Sequence, residues 1–458
     1  MGTVDGSAGL HRRLGLWSAA AVVVGEVIGV GIFLTPAGMA RSLGSPVWLQ
    51  GVWLLMGGMA LAGALCFGTL AARFPSAGGA YVYLREAYGP RPAFLYGWTS
   101  LLVTDPGLTA LFAVGMAEAA TVPIGVGAWG VKGIAVTAIL GLAAVNALGV
   151  GLGAGLMRWL TAVKIGLLVL IAGWGILLGR GDWSNLLPLV ARRPGADPLS
   201  AALPGAFVAA FFSFGGWWDT SKLAGEVRDP ERTLPRALAL GVGVVTAVYS
   251  LISLVFFYLV PTERITPERG FSQLAGEALF GPWGGSVFAA VVAVVVLGCL
   301  AAIIMAAPRV YYAMARDGLF PHALAALSPR FDTPARAIAL QATLASALVL
   351  SGTFEQILAY FFFVTVAFLA LAAAAVFAPA VRGRAGDGLP RVPGHPFTPL
   401  AFLLPTLVLL ALLAADKPRE SLLGLAVVAI GLPAYGVAQR FGTLRRVDGA
   451  AVPSSADV

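Results

Sequence analysis

Along this chain, long apolar runs alternate with short polar connections in which most of the arginines collect. Roughly twelve runs approach the twenty or so residues that a helix needs to cross a hydrocarbon layer. They cover residues 16–39, 48–72, 93–120, 129–148, 156–178, 203–223, 237–260, 284–315, 337–351, 357–380, 399–414 and 422–439. Lipid offers no partner to backbone N–H and C=O groups, so such runs predict helices and an all-α polytopic membrane protein. The first run is interrupted at mid-length by Gly25-Glu26-Val27-Ile28-Gly29-Val30-Gly31-Ile32-Phe33, three glycines and a glutamate where the hydrocarbon is thickest. Each glycine weakens a helix by about 1 kcal/mol relative to alanine. A break there survives only where it lines a cavity and its freed backbone groups bind something. The N–H groups that open the second half-helix, at the positive end of its dipole, suit a carboxylate. Taken alone, the stretch fits a glycine-packed helix crossing equally well.

A second weak point, Phe211-Phe212-Ser213-Phe214-Gly215-Gly216-Trp217-Trp218-Asp219, falls midway through the sixth run. Counting runs, this is the first helix of a second set of five, the place the glycine stretch holds in the first set. Interrupted helices at corresponding places in two halves point to a transporter's binding site. An odd number of spans per repeat inverts one half relative to the other.

Composition supports the class. Hydrophobic residues make up 59% of the chain and charged ones 11%, and the mean hydropathy of +0.87 lies outside the range of soluble domains. Cys66 and Cys299 both sit in apolar runs, which argues against a disulfide framework or a zinc site, and no cofactor or metal is expected. The net charge of +8 is scattered between runs, so it reads as a membrane-orientation signal and not as a nucleic-acid surface. With the N-terminus inside, Arg12/Arg13, Arg73/Arg85/Arg91, Arg228/Arg232/Arg236, Arg316/Arg330/Arg336, Arg382/Arg384/Arg391 and Arg440/Arg445/Arg446 face the cytoplasm. Cytoplasmic cations then outnumber external ones by roughly two to one, and both termini are cytoplasmic. No cleavable signal peptide is expected, because the first apolar run is too long for one.

At this point the residues resemble a family. Val27-Ile28-Gly29-Val30-Gly31-Ile32-Phe33, Phe212-Ser213-Phe214-Gly215-Gly216-Trp217 and Asp229-Pro230-Glu231-Arg232-Thr233-Leu234-Pro235 look like the L-type amino acid transporter branch of the amino acid–polyamine–organocation superfamily. Phe74-Pro75-Ser76-Ala77-Gly78-Gly79-Ala80-Tyr81 and Ala315-Arg316-Asp317-Gly318 agree with it. The resemblance implies a LeuT-type fold of two inverted five-helix repeats plus two further helices, with the first and sixth helices unwound at mid-membrane. Its divisions here would be a tail over 1–13, repeats over 14–180 and 203–382 around an external loop at 181–202, helices 11 and 12 over 383–442, and a tail over 443–458. It also implies amino-acid transport. The substrate carboxylate would meet the amides of Gly29, Val30 and Gly31, next to Ile32. The amino group would meet carbonyls at Ile28, Phe211, Phe212 and Phe214, with Ser213 and Gly215 in the same break and Phe212 as the external gate. Many relatives carry serine or threonine where this chain has Val30, so carboxylate binding would rest on backbone groups alone. Relatives that take cationic amino acids place an aspartate where this chain has Gly215, which favours neutral substrates.

Lys164 lies well inside the fifth run, where a buried ammonium needs partners. In sodium-independent relatives a lysine at this place occupies the position of a sodium ion, with its amine against carbonyls of the first helix. The eighth run, at Ala302-Ile303-Ile304-Met305, lacks the hydroxyls of a sodium site. Glu26, three residues before the break, is either a protonatable group or the ion-pair partner of Lys164. Asp105, beside Pro106, either lines the cavity or caps the helix after a kink, with the cap favoured. Asp219 and Lys222, three residues apart, should pair locally. Tyr360-Phe361-Phe362-Phe363 is either a gate over the site or helix packing.

Two functions compete: a transporter working by exchange or proton-coupled uptake, and a membrane amino-acid sensor of the same fold. A cationic amino acid or polyamine permease is a variant of the first. The tails are short for a sensor's signalling domain, and His11, His322 and His395 fall in loops or tails, so an enzyme is not expected. Animal relatives bridge to a heavy chain through a cysteine in the external loop after the third helix. Here 121–128 holds none, so the lone chain is expected to work, in the inner (plasma) membrane of a bacterium.

Overall fold

A computed structural model describes residues 10–266, 270–352, 354–382 and 391–440. The tail over 443–458, Arg384, Arg445 and Arg446, and the side chains of Tyr360 and Phe361, lie outside the described residues. The first apolar run forms α1 (Leu16–Val27) and α2 (Gly31–Leu43), bent by 49° at the three residues between them. There follow α3 (Pro46–Arg73), α4 (Ala80–Tyr88), α5 (Pro90–Thr121), α6 (Ala128–Ala147), α7 (Val150–Leu177) and α8 (Leu199–Ser213). Beyond α8 the backbone turns at Phe214-Gly215-Gly216 and continues as a 3₁₀ segment, Trp217–Glu226. The second half is α9 (Pro230–Leu259), α10 (Phe271–Phe280), α11 (Gly284–Ala306), α12 (Pro308–Arg316), α13 (Ala335–Ser351), α14 (Phe354–Ala374), α15 (Phe397–Asp416) and α16 (Pro418–Arg440).

Among the described residues, nine helical spans are long and apolar enough to cross a membrane, and the bent pair makes ten. The shorter apolar helices at Ala335–Ser351 and Phe362–Phe377 take the ninth and tenth of the twelve expected places. The fold is therefore all-helical and polytopic. α4 and α10 were not foreseen, because nine or ten residues of mixed polarity fall below the length that marks a span.

α1 is enclosed by α7, α9, α11 and the 3₁₀ segment, and α3 lies along α9. Small residues permit these approaches, since lipid gives apolar helices no solvent-driven reason to associate. At Gly68 of α3 an added Cβ would lie 2.7 Å from the Pro235 backbone of α9. At Gly241 of α9 it would lie 2.4 Å from the Val23 side chain of α1. α5 carries a π-helical turn, Ser100–Thr104, directly before Asp105 and Pro106. Pro106 cannot donate to the carbonyl one turn back, and the wider turn absorbs that mismatch.

Candidate functional site

The two breaks border one cavity of about 590 Å³. Gly29, Val30 and Gly31 line it from the first break, and Phe211, Phe212, Ser213, Gly215 and Gly216 from the second. Asp105 and Phe112 of α5 and Phe362 and Phe363 of α14 complete its largely apolar wall. Ile28, Ile32 and Phe214 are buried behind that wall and do not border the cavity. The cavity extends to Asp416, Lys417 and Glu420 at the α15–α16 turn, so it opens at that end of the bundle. Phe212, 45% exposed, stands in the opening with its ring 6.1 Å from Phe362.

The backbone accounting at the breaks identifies the groups left for a ligand. The N–H groups of Gly31 and Ile32 open α2 and have no carbonyl one turn back inside it. Phe33 and Leu34 donate to Val30 O at 3.1 and 3.2 Å. At the end of α8, Gly215 N–H donates to Phe212 O at 3.2 Å, which leaves Phe211 O without its helical donor. A helix start and a helix end, opposite in partial charge, thus meet at one cavity.

The remaining carbonyls at the end of α1 are occupied by side chains. Lys164 of α7 is fully buried, and its Nζ donates to Gly25 O at 2.7 Å and Ile28 O at 2.6 Å. The expected contact between this amine and α1 is present. Cys299 Sγ also donates to Ile28 O at 3.3 Å, so that carbonyl already holds two donors. Phe211 O is therefore freer than Ile28 O to accept a further donor. Gly298 of α11 makes room for the lysine: a Cβ there would lie 2.9 Å from Lys164 Nζ.

Tyr249 of α9 was not foreseen. Its hydroxyl lies 2.8 Å from both Val27 O and Ser213 O, the last carbonyls of α1 and α8. One hydroxyl proton serves the two acceptors in turn, and it ties the two breaks together. The ring is held edge-on against Trp53 at 5.3 Å and Phe214 at 5.2 Å. The sign available in the sequence was a hydroxyl-bearing residue in the middle of the seventh apolar run. Tyr249→Phe leaves both carbonyls short of a buried donor, at about 1–3 kcal/mol. We expect an uptake rate at least tenfold lower in proteoliposomes, with an unchanged gel-filtration profile in detergent.

The acidic residues differ in part from expectation. Asp219 Oδ2 pairs with Lys222 Nζ at 3.0 Å, as the spacing predicts. Asp105 makes no capping bond. Its Oδ1 lies 3.2 Å from Lys222 Nζ, and its Oδ2 accepts from the Tyr311 hydroxyl at 2.9 Å. The π-helical turn precedes this residue directly, and burial leaves its carboxylate dependent on those two donors. Glu26 has no ion pair with Lys164 among the described residues. It stands instead against Gly216.

The far end of the cavity is sealed. Arg309 of α12 and Glu226, the last residue of the 3₁₀ segment, form a fully buried ion pair at 3.1 Å. Arg13 and Leu14 N–H donate to Glu226 O at 2.8 and 2.9 Å, and Leu14 bridges Val227 in parallel. Among the described residues the cavity thus reaches the α15–α16 end of the bundle, and the buried ion pair lies at the end where α1 begins.

Comparison with known proteins agrees with this architecture. The family described as Amino acid permease matches residues 14–428. The serine/threonine exchanger SteT of Bacillus subtilis (strain 168) is 30% identical over 431 residues, 93% of this chain and 97% of that protein. The b(0,+)-type amino acid transporter 1 of Homo sapiens is 31% identical over 361 residues, 77% of this chain and 73% of that protein. The cystine/glutamate transporter of Homo sapiens is 26% identical over 434 residues, 93% and 85% of the two chains.

Proposed function

The chain belongs to the amino acid permease family and is an amino-acid transporter, not an enzyme; from that premise we propose that it carries neutral α-amino acids by alternating access, without sodium. One observation carries the reading: the start of α2 and the end of α8 meet across the cavity. A zwitterion is complementary to that pair of ends. Its carboxylate meets the amides of Val30 and Gly31, and its ammonium meets Phe211 O. The preference for neutral side chains rests on the apolar wall and on Gly215, which offers no charge. Independence from sodium rests on Lys164, whose ammonium occupies the carbonyls that a cation would otherwise hold together.

The arginine distribution supports a reading in which the α1 end faces the cytoplasm across a bacterial inner membrane, and the cavity is then open outward. Phe212 and Phe362 then close over the substrate, and separation of Glu226 from Arg309 opens the inner side. The relatives named above include exchangers of other substrates, and exchange is one mode the same cycle permits. No disulfide-linked partner is required on this reading. Cys66 and Cys299 are both buried and unpaired.

The test is counterflow by the purified chain alone in proteoliposomes, with labelled L-alanine inside exchange range of a panel of unlabelled amino acids. We expect competition by neutral L-amino acids and the same rate when choline replaces sodium. A requirement for sodium, or for a second protein, would reject the corresponding part of the proposal.

A further inference from the structure

One pair of acidic side chains plays no part in holding the zwitterion. Glu26, on the last turn of α1, and Asp219, in the 3₁₀ segment, are 5% and 4% exposed. Both border the cavity. Gly216 adjoins both, its carbonyl accepting from the Asp219 N–H at 2.9 Å and its Cα packing against the Glu26 side chain. Each acid also keeps one buried oxygen, Glu26 Oε2 and Asp219 Oδ1, that no donor among the described residues reaches. Gly216 permits the approach, since a Cβ at that residue would lie 2.7 Å from Glu26 Cγ.

Two neighbouring carboxylates inside a low-dielectric wall repel each other, and a single proton between them turns repulsion into a hydrogen bond. Among the described residues Lys222 is the one cation paired with either acid, and it is shared with Asp105. Lys222 is divided between Asp105 Oδ1 at 3.2 Å and Asp219 Oδ2 at 3.0 Å. Tyr311 of α12 is committed to Asp105, and Tyr96 of α5 borders the same cavity. Behind α1, the Lys164 amine is bonded to Gly25 O and Ile28 O, and the Cys299 thiol to Ile28 O. An organic cation would need room between the two acids, whereas a proton needs only their proximity.

We propose that Glu26 and Asp219 form a carboxyl–carboxylate pair that binds one proton from the open cavity, and that this proton crosses with the amino acid. The inference rests on the reading of the cavity as an amino-acid site. In the open state the two carboxylates take one proton from solution and share it. Glu26 belongs to α1 and Asp219 to the segment after the second break, so opening of the sealed end separates them. The pair then no longer shares the proton, which leaves on the other side with the substrate. A zwitterion and one proton move one positive charge per cycle, so transport is electrogenic.

The test uses the full chain in proteoliposomes with a trapped pH dye, with L-alanine, L-serine and L-leucine as probes. We expect one proton to enter per amino acid. With the membrane potential clamped at zero, a one-unit inward proton gradient should sustain about tenfold accumulation. Glu26→Gln and Asp219→Asn keep a hydrogen-bonding pair but remove the titrating site. The proton-to-substrate ratio should fall from one to zero in both, with accumulation falling to about onefold. Should either variant fail to fold, the wild-type ratio and the infrared band of a protonated carboxyl decide the matter, the band shifting when substrate is added. Amino-acid uptake by the wild type without luminal acidification overturns the proposal, as does an unchanged ratio in both variants. Preference for L-lysine over L-norleucine that Glu26→Gln abolishes would also overturn it, assigning the carboxylates to an organic cation. Failure to take up any amino acid would count instead against the reading of the cavity itself.

Discussion

Gly31→Leu should abolish transport, and Gly31→Ala should already lower it at least tenfold, in protein that still inserts and purifies as a single species. The reason is steric before it is chemical. An added Cβ at Gly31 would lie 2.8 Å from Ser213 Cα, which is backbone of the other broken helix and cannot rotate away. The same junction is pinned by Thr35, whose hydroxyl donates to Gly31 O at 2.9 Å and lies 2.9 Å from Ser213 Oγ. A side chain here must therefore push α2 from α8, parting the N–H groups at one wall of the cavity from Phe211 O at the other. Gly29 is the useful comparison, because its Cβ would press on the Cys299 side chain, at 3.1 Å, and meet Val27 O at an ordinary 3.9 Å. That thiol can shift by a few tenths of an ångström, so Gly29→Ala should be the milder substitution. Gly29→Leu exceeds the space and should also abolish binding. Uptake by Gly31→Leu at the normal rate would remove the break from the site.

What the sequence made legible follows from what the bilayer forbids. Apolar length marks the long spans, and glycine at mid-span marks both breaks, because hydrocarbon cannot satisfy an unwound backbone. Lys164 stood out for the same reason. The parts that escaped notice are contacts between distant helices. Tyr249 reaches Val27 O across 222 positions of sequence, and Gly298 is a cleft for a lysine that no local pattern records. Of the two readings of Asp105 the cavity wall holds and the favoured cap does not, because a proline after an aspartate is a local signal for a cap, whereas its partners Lys222 and Tyr311 lie on other elements. The form of the second half of the sixth span was also hidden. Gly216 adopts φ +108, which turns the chain, and the segment beyond is 3₁₀ rather than α-helical.

Lys164→Ala should lower uptake at least tenfold at every pH, because the lysine acts through α1 and not through a proton of its own. Its amine is bonded to two backbone carbonyls, Gly25 O and Ile28 O, and among the described residues forms no ion pair with a carboxylate. Removing it strips Gly25 O of its side-chain donor and leaves Ile28 O with the Cys299 thiol alone, in a dry interior where an unsatisfied group costs roughly 1–3 kcal/mol. Gly298 would then face an empty cleft, since its neighbours there are Lys164 Cε and Nζ, and the far end of α1 would lose its tie to α7. α1 is the half-helix that must move for the sealed end to open, so the lost tie biases the opening equilibrium by tenfold or more. The pH profile separates this role from proton carriage. With the proton on Glu26 and Asp219, residual uptake by Lys164→Ala keeps the wild-type dependence across about pH 5.5–8, the range where perturbed groups titrate. A flattened profile would instead move the proton to Lys164, and wild-type rates throughout would deny the lysine any part in the cycle. Adding sodium should not rescue the variant, because the cleft it leaves offers two carbonyls and a thiol, too few hard oxygen ligands for that ion.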